Sequence, residues 1–495
     1  MSDEKATHTS GPGRRSLLAG MGAAAVPVMA LSAPPAAHAI GRTVRAQSPT
    51  GQHQAGPSVV FGHVLHFLKD PGDPPDPTAW ELFEDGALAI GGDGKVAYAG
   101  PASDLPERLR RGARTIDHRG HLIVPGFVDT HIHAAQVDVI ASYGKQLLEW
   151  LETYVFPAEA KFDRAAHARA LAGYFLDRLL AAGTTTASVF PTIHPASVDA
   201  FFEQSLQRGL RMLCGKVLMD REPYAPAYLC DRSVAEAEQQ TRELIGRWHG
   251  KDRLGYSITP RFAPTSTEPM LAMTGRLLEE HPDLWLQTHA AENKDEVALV
   301  KKLFGGRSYI DVYERYGLLT KRSLFAHCVH IDATDRARLA AAGSSVAFCP
   351  TSNLFLGSGL FDLHAARRSK VSVGLGTDVG AGTSYSLLTT LNEAYKVTAL
   401  RGRTLSPYRG FYLATLGGAQ ALDLDDTIGN FRPGNEADFT VLDFTATETL
   451  ARRTDVAKDF TERLFALMIL GDERAVAATY AQGRLVHDRE IACLG

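Results

Sequence analysis

The stretch PGFVDTHIHAAQ, residues 125–136, decides how the rest of the chain is read. An apolar run through Phe127 and Val128 ends in two histidines one residue apart, and a glutamine follows three residues after the second. Alternate side chains of a strand point the same way, so His131 and His133 share a face. Histidines at this spacing are common in cores and on surfaces, so the pair alone says little. Its meaning depends on what the chain places at its other strand ends.

Eight short apolar runs recur through the middle of the chain: LIVPGFVDTH, GTTTASVF, RMLCGKVLM, LGYSITPRF, LWLQTHAAE, SLFAHCVH, SSVAFCPTS and VSVGLGTD. Amphipathic stretches lie between them, such as RAAHARALAGYFLDRLLAAG, whose Gly183 suits a helix C-cap. Eight buried strands alternating with helices predict an α/β fold, a parallel (β/α)8 TIM-like barrel of about 250 residues. A doubly wound open sheet is the alternative, but no G-x-G-x-x-G, P-loop or G-x-S-x-G motif supports it. The chain ends read differently. SVVFGHVLHFL, GALAIGGDGKVAYAG and RTIDHRGHLIVPG near the start, and NEADFTVLDF and AVAATYAQGRLVHDR near the end, have hairpin character. They predict a small composite β-sandwich domain built from residues 58–121 and 430–495, flanking a barrel over 122–429.

The other barrel strands end as the first one does. The fifth closes on QTHAAEN (His289, Glu292), the sixth on AHCVH (His327, His330) and the eighth on GLGTD (Asp378). Active sites of such barrels form at this rim. One histidine or carboxylate there could be chance, but four sets converging on one mouth suit Zn2+ or Fe2+. A structural zinc is closed by four ligands and usually includes thiolates; the surplus of polar groups here points to catalysis instead. A divalent ion would lower the pKa of a water toward ~7, and Glu292, three residues past a histidine, is placed to shuttle protons.

Composition narrows the field further. The 495 residues are 45% hydrophobic and 22% charged, ordinary for a globular enzyme, and a net charge of -4 gives no reason to expect nucleic acid. Five scattered cysteines without CxxC spacing argue against a disulfide framework and a thiolate zinc site, and exclude the HxE…PCxxC nucleobase deaminases. The first 39 residues read as an address. Arg14-Arg15 precede a mildly apolar run ending in Ala37-His38-Ala39, the pattern of a twin-arginine signal, followed by a polar linker over 40–57. Export to the periplasm follows from this; an uncleaved leader on a cytoplasmic protein is the alternative. Pro27, Pro34 and Pro35 speak against a membrane-spanning helix in that run, and no other segment is long and apolar enough to span.

These motifs resemble the amidohydrolase superfamily and, within it, the guanine deaminases. The H-x-H of PGFVDTHIHAAQ and the GTD of GLGTD are shared across the superfamily, whereas LLEWLETYVFPAE, TPRFAPTST and CPTSNLFLGSGLFD are more specific. The resemblance runs from near Val59 almost to the C-terminus. It implies one zinc per subunit held by His131, His133, His289 and Asp378, with Fe2+ also compatible. It implies that His327 holds the attacking hydroxide and that Glu292 is the general acid/base, with Asp378 also catalytic. Two-metal relatives carry a carboxylated lysine at the end of the fourth strand; here that position reads Pro260-Arg261-Phe262, which favours one metal. Lys216, on the third strand, is more simply structural or a neighbour of the site. A homodimer is also implied, with no independent support in the sequence.

Gln136, Arg261 and Phe262 are the substrate readers that the resemblance transfers, with His133, His289 and Asp378 also touching the substrate. Guanine offers an exocyclic oxygen and a ring nitrogen as adjacent acceptors for an arginine fork. Adenine puts an amino donor where that oxygen is, and arginine cannot accept a hydrogen bond. Phe262 either stacks on the ring or fills core, and Gln136 either holds a purine edge or orients its loop. The expected reaction is hydrolytic deamination of guanine to xanthine and ammonia. The alternatives are another ring aminohydrolase acting on 8-oxoguanine, a pterin or a triazine, and a silent scaffold, which would be expected to have lost some of these residues. Ala381, where a glycine is common, and MDREPYAPAYL depart slightly from the family pattern.

Overall fold

The computed structural model describes residues 56–144 and 146–492. The expected leader, nearly all of the expected linker and Cys493 lie outside these residues. The chain enters through β1 (Ser58–Phe67), β2 (Trp80–Ile90), β3 (Val96–Pro101) and β4 (Arg114–Pro125). Next come β5 (Phe127–His133), β6 (Thr184–Phe190), β7 (Arg211–Cys214), the two-residue β8 (Val217–Leu218) and β9 (Leu254–Pro260). β10 (Trp285–Ala290), β11 (Ser323–His327), β12 (Ser345–Phe348) and β13 (Ser372–Leu375) complete the middle. β14 (Phe439–Leu442), β15 (Val476–Ala481) and β16 (Arg484–Asp488) follow.

The eight predicted strands pair in parallel in the order β5-β6-β7-β9-β10-β11-β12-β13. The ring closes where the Asp378 amide donates to the His131 carbonyl at 2.9 Å and the His133 amide to the Val379 carbonyl at 2.9 Å. This is the (β/α)8 barrel, and closure by these bonds brings the H-x-H and G-T-D motifs side by side. The small, hydroxyl-bearing TTTASVF strand suits a crowded barrel interior. There the Ser188 hydroxyl donates to Gln287 Oε1 at 2.7 Å, and Gln287 Nε2 donates to the Val189 carbonyl at 2.8 Å and Thr259 Oγ1 at 3.1 Å, so a buried polar layer is satisfied. Between β5 and β6 the helix Ala165–Ala181 buries Phe175, Leu176, Leu179 and Leu180. Gly183, at φ +83°, lies just past its cap residue Ala182, where a left-handed backbone ends the helix.

Both chain ends join one small mixed sheet, in the order β16-β15-β14-β4-β1-β2-β3. β1 and β4 pair in parallel and the other neighbours antiparallel. Stacked Phe439 and Tyr480, with ring centres 4.2 Å apart, lie in its core with Val60, Val64 and Ile123. The sheet docks where barrel strands begin: Thr440 Oγ1 donates to the Gly183 carbonyl at 2.7 Å, and Thr479 Oγ1 to the Leu180 carbonyl at 2.7 Å. Buried Arg253, just before β9, pairs with Asp438 and lies 2.7 Å from Glu436. The opposite end, where strands finish, is left for chemistry. Among the described residues no helix is long and apolar enough to cross a membrane.

Candidate active site

Five groups expected from the sequence meet at the strand-end mouth. His131 Nε2 and His133 Nε2 each lie 3.2 Å from Asp378 Oδ1, and His133 Nε2 lies 3.1 Å from His289 Nε2. His327 Nε2 is 3.8 Å from Asp378 Oδ2. One ligand atom from each of His131, His289, His327 and Asp378 lies within 4.8 Å of all the others, and His133 stands in the same cluster by the distances above. Local structure aims each group. The His289 Nδ1 bonds the Arg261 carbonyl at 2.7 Å, which turns Nε2 inward. The His327 Nδ1 bonds Asn353 Oδ1 at 2.9 Å, with the same effect. Beneath them, buried Asp129 accepts from the His131 amide (3.1 Å), the Thr377 amide (3.1 Å) and the Thr377 hydroxyl, tying β5 to the segment that carries Asp378.

The electrostatics call for a cation. Burial drives the imidazoles toward the neutral form: His133 is lowered to about 3, His131 is lowered, and His289 lies well below the ordinary histidine range. Burial also pushes Asp378 upward, but the surrounding imidazoles, His131 first, outweigh it and hold the carboxyl well below the usual range. Neutral imidazole nitrogens facing one another across 3.1 Å, beside an ionised carboxylate, present converging lone pairs. Among the described residues, buried His131 Nε2 has no hydrogen-bond partner despite its closeness to Asp378. That orphaned atom and the His/Asp donor set fit a divalent metal ion. Asp378 and His327 sit at φ +52° and +69°, left-handed conformations costing about 1–2 kcal/mol for side-chain-bearing residues, and the strand-end contacts hold them there.

Glu292 lies beside this cluster rather than within it. Its Oε2 is 3.5 Å from His327 Nε2, and its Oε1 accepts from the Ser358 hydroxyl at 3.1 Å. Burial, reinforced by the Asp378 charge, raises its carboxyl to about 8, the range of a group that can both give and take a proton near neutrality. The capping box of the helix Lys294–Leu303 fixes the turn: Glu296 Oε2 accepts from the Glu292 amide at 2.9 Å and the Asn293 amide at 3.0 Å.

A cleft adjoins these groups, lined in part by Gln136, Trp150, Arg261, Phe262 and Glu292. The Arg261 Nη1 donates to both oxygens of Glu159, at 2.9 and 2.7 Å, and the guanidinium lies 5.2 Å from the Phe156 ring centre. Gln136 Nε2 donates to Glu159 Oε1 at 3.1 Å, and its Oε1 accepts from the Gly380 amide at 3.3 Å. Phe262 faces the cleft with its ring edge-on to His289, 6.5 Å between centres.

Two residues singled out in the sequence stand apart. His330 Nε2 bonds the Ser358 carbonyl at 2.7 Å and belongs to the neighbouring loop. Lys216 is buried in an ion pair with Asp231. Sequence reasoning missed Asp129, Glu159, Phe190, Asn353 and Ser358. Phe190, at the end of β6, packs against the rings of His131, His133 and His289 at 5.1, 4.9 and 4.6 Å. Glu159 and the Asn353/Ser358 pair lie inside FPAE and TSNLFLGSGLFD, so those motifs were the available signal.

Residues 122–486 match the model of the amidohydrolase family. Guanine deaminase of Escherichia coli (strain K12) is 52% identical over 442 residues, covering 89% of this chain and 99% of that protein. The solved structure of E. coli guanine deaminase superposes with a TM-score of 0.84 at 50% identity, over 87% of this chain and 100% of that one. Guanine deaminase from C. acetobutylicum, solved with guanine bound in its active site, superposes with a TM-score of 0.79 at 29% identity, over 87% of this chain and 100% of that one.

Proposed function

The chain belongs to the amidohydrolase family, and from that premise we propose that it deaminates guanine hydrolytically, giving xanthine and ammonia. The convergence of His131, His133, His289 and Asp378 beside a protonatable Glu292 is the observation that carries this reading. Those four residues would hold one zinc ion. Bound there, zinc supplies Lewis-acid chemistry that brings the pKa of a water toward ~7.

The side chains of the chain do the rest. Arg261 and Gln136 meet the polar edges of the purine, and Phe262 covers part of its face. Arginine donors match the oxygen and ring nitrogen of guanine and reject the amino group of adenine, a preference of ~1–3 kcal/mol. His327, its Nδ1 tied to Asn353, keeps Nε2 toward the attacking oxygen. Glu292 takes the proton of the water as its oxygen bonds to the amino-bearing carbon, and delivers it to the adjacent ring nitrogen. Glu292, a carboxylate again, then takes the remaining proton of the added hydroxyl and passes it to the amino group; the carbon–nitrogen bond breaks as the carbonyl forms, and ammonia leaves.

Relatives that carry the name guanine deaminase support this substrate over a pterin or triazine. Purified protein offered guanine, 8-oxoguanine, adenine and ammelide tests it: fastest ammonia release from guanine is expected, and a clear preference for another ring would replace this reading. Homodimer formation, the division of the chain near 121/122 and 429/430, and export through residues 1–39 are further parts of the proposal. N-terminal sequencing of the mature protein tests the last; a product beginning near Met1 would reject it.

A further inference from the structure

Glu159 is completely buried and bonded to both Arg261 and Gln136, yet it carries no role in the reaction derived above. It stands on the short helix Phe156–Glu159, three residues after Phe156, so both side chains leave one face of the turn. Phe156 lies against the Arg261 guanidinium, and both Glu159 oxygens take hydrogens from a single nitrogen, Nη1. Arg261 Nε and Nη2 are thereby left without a protein acceptor among the described residues. The same Glu159 Oε1 also accepts from Gln136 Nε2. An ionised carboxylate can only accept, so it dictates which end of the Gln136 amide faces it. One carboxylate therefore sets the plane of the arginine fork and the orientation of the glutamine amide.

It also sets the charge of the cleft. An arginine buried without a partner is costly and attracts anions, whereas one matched by a buried carboxylate presents donors without net charge. Guanine is neutral near pH 7. Xanthine, with an N–H flanked by two carbonyls, is the stronger acid and forms an anion as the solution becomes alkaline. We infer that Glu159 is a positioning and specificity-determining residue, which holds Arg261 and Gln136 in donor register and cancels the arginine charge so that the cleft selects a neutral ring over its anionic product. This rests on the guanine deaminase reading.

The test uses metal-loaded, full-length protein and three forms: wild type, Glu159→Gln and Glu159→Asp. Ammonia release from guanine by wild type comes first, because its absence would reject the functional reading rather than the role of Glu159. Glutamine keeps the shape but removes the charge, and its NH2 cannot accept from Arg261 or Gln136. Its kcat/KM for guanine should fall at least about tenfold, mostly through KM. Inhibition by xanthine should tighten between about pH 6 and about pH 9 in Glu159→Gln relative to wild type. Aspartate keeps the charge but withdraws the carboxylate by one methylene, so KM should rise while the xanthine response stays that of wild type. If Glu159→Gln does not fold, Glu159→Asp decides: a raised KM supports the inference and an unchanged KM overturns it. A wild-type KM in Glu159→Gln, or identical pH responses of xanthine inhibition in wild type and Glu159→Gln, overturns it equally.

Discussion

Replacing Glu292 by glutamine isolates the proton shuttle from everything else that residue does. The amide occupies the same volume and keeps an oxygen for the Ser358 hydroxyl, now 3.1 Å from Oε1. Burial and the Asp378 charge raise the Glu292 carboxyl, so its neutral form, which a glutamine imitates in shape, is accessible at this position. Folding and ion content should therefore stay close to wild type. What disappears is the transferable proton, and general acid–base catalysis is worth about 10²–10⁴ in rate, or ~3–5 kcal/mol of barrier. The assay is ammonia release under saturating guanine, with bound metal and melting temperature measured on the same sample. Ser358→Ala, which frees Oε1, should cost about tenfold in wild type and almost nothing when combined with Glu292→Gln, because the two side chains act as one unit. A fully loaded Glu292→Gln protein turning over within about fivefold of wild type would refute the assignment.

Arg261→Ala removes the purine-reading fork and strands buried Glu159, so guanine kcat/KM should fall by ~1–3 kcal/mol and unfolding stability by ~3–5 kcal/mol; unchanged kinetics in a folded variant would undo the role. Gly376→Ala places a Cβ 2.8 Å from Cys349 Sγ and 2.9 Å from His131 Cβ, so metal content should drop with a stability loss of ~1–3 kcal/mol, read by elemental analysis and denaturation. Burial, with a smaller contribution from Arg432, lowers His66 to about 4, and its Nδ1 accepts from the Phe431 amide, so the folded state favours neutral imidazole despite Glu81 nearby. A depressed pKa stabilises above the unfolded value near 6.5 and loses that contribution as pH falls through 4; wild type should lose ~3 kcal/mol more than His66→Gln over that window in urea titrations, and parallel curves would reject it.

Much of this architecture was legible because strands and helices impose different periods on apolar residues, and the eight short runs and the amphipathic stretches between them kept those periods. What blurred were places where glycine lets the backbone come close. LIVPGFVDTH reads as one strand, but β4 ends at Pro125 and β5 begins at Phe127 around Gly126, where a Cβ would fall 2.1 Å from Thr185 Oγ1. RMLCGKVLM divides at Gly215, whose Cβ would meet the Ser257 carbonyl oxygen at 1.7 Å. Histidines at strand ends announced themselves through spacing, since a two-residue period is local. The roles of Glu159, Asn353 and Ser358 come from contacts across 102, 26 and 66 residues, to Arg261, His327 and Glu292. A glutamate in a short helix or a serine between glycines carries no periodic signature of such a partner, and only the closed barrel brings the pairs together.

The proposed reaction requires a divalent ion, which His131, His133, His289 and Asp378 would hold where they converge. Treating the full-length protein with a chelator, verifying metal loss by elemental analysis and measuring ammonia release from guanine tests that dependence directly. Turnover should vanish with the metal and return on adding stoichiometric zinc to the same sample. Stripped protein that deaminates guanine as fast as untreated protein would contradict it.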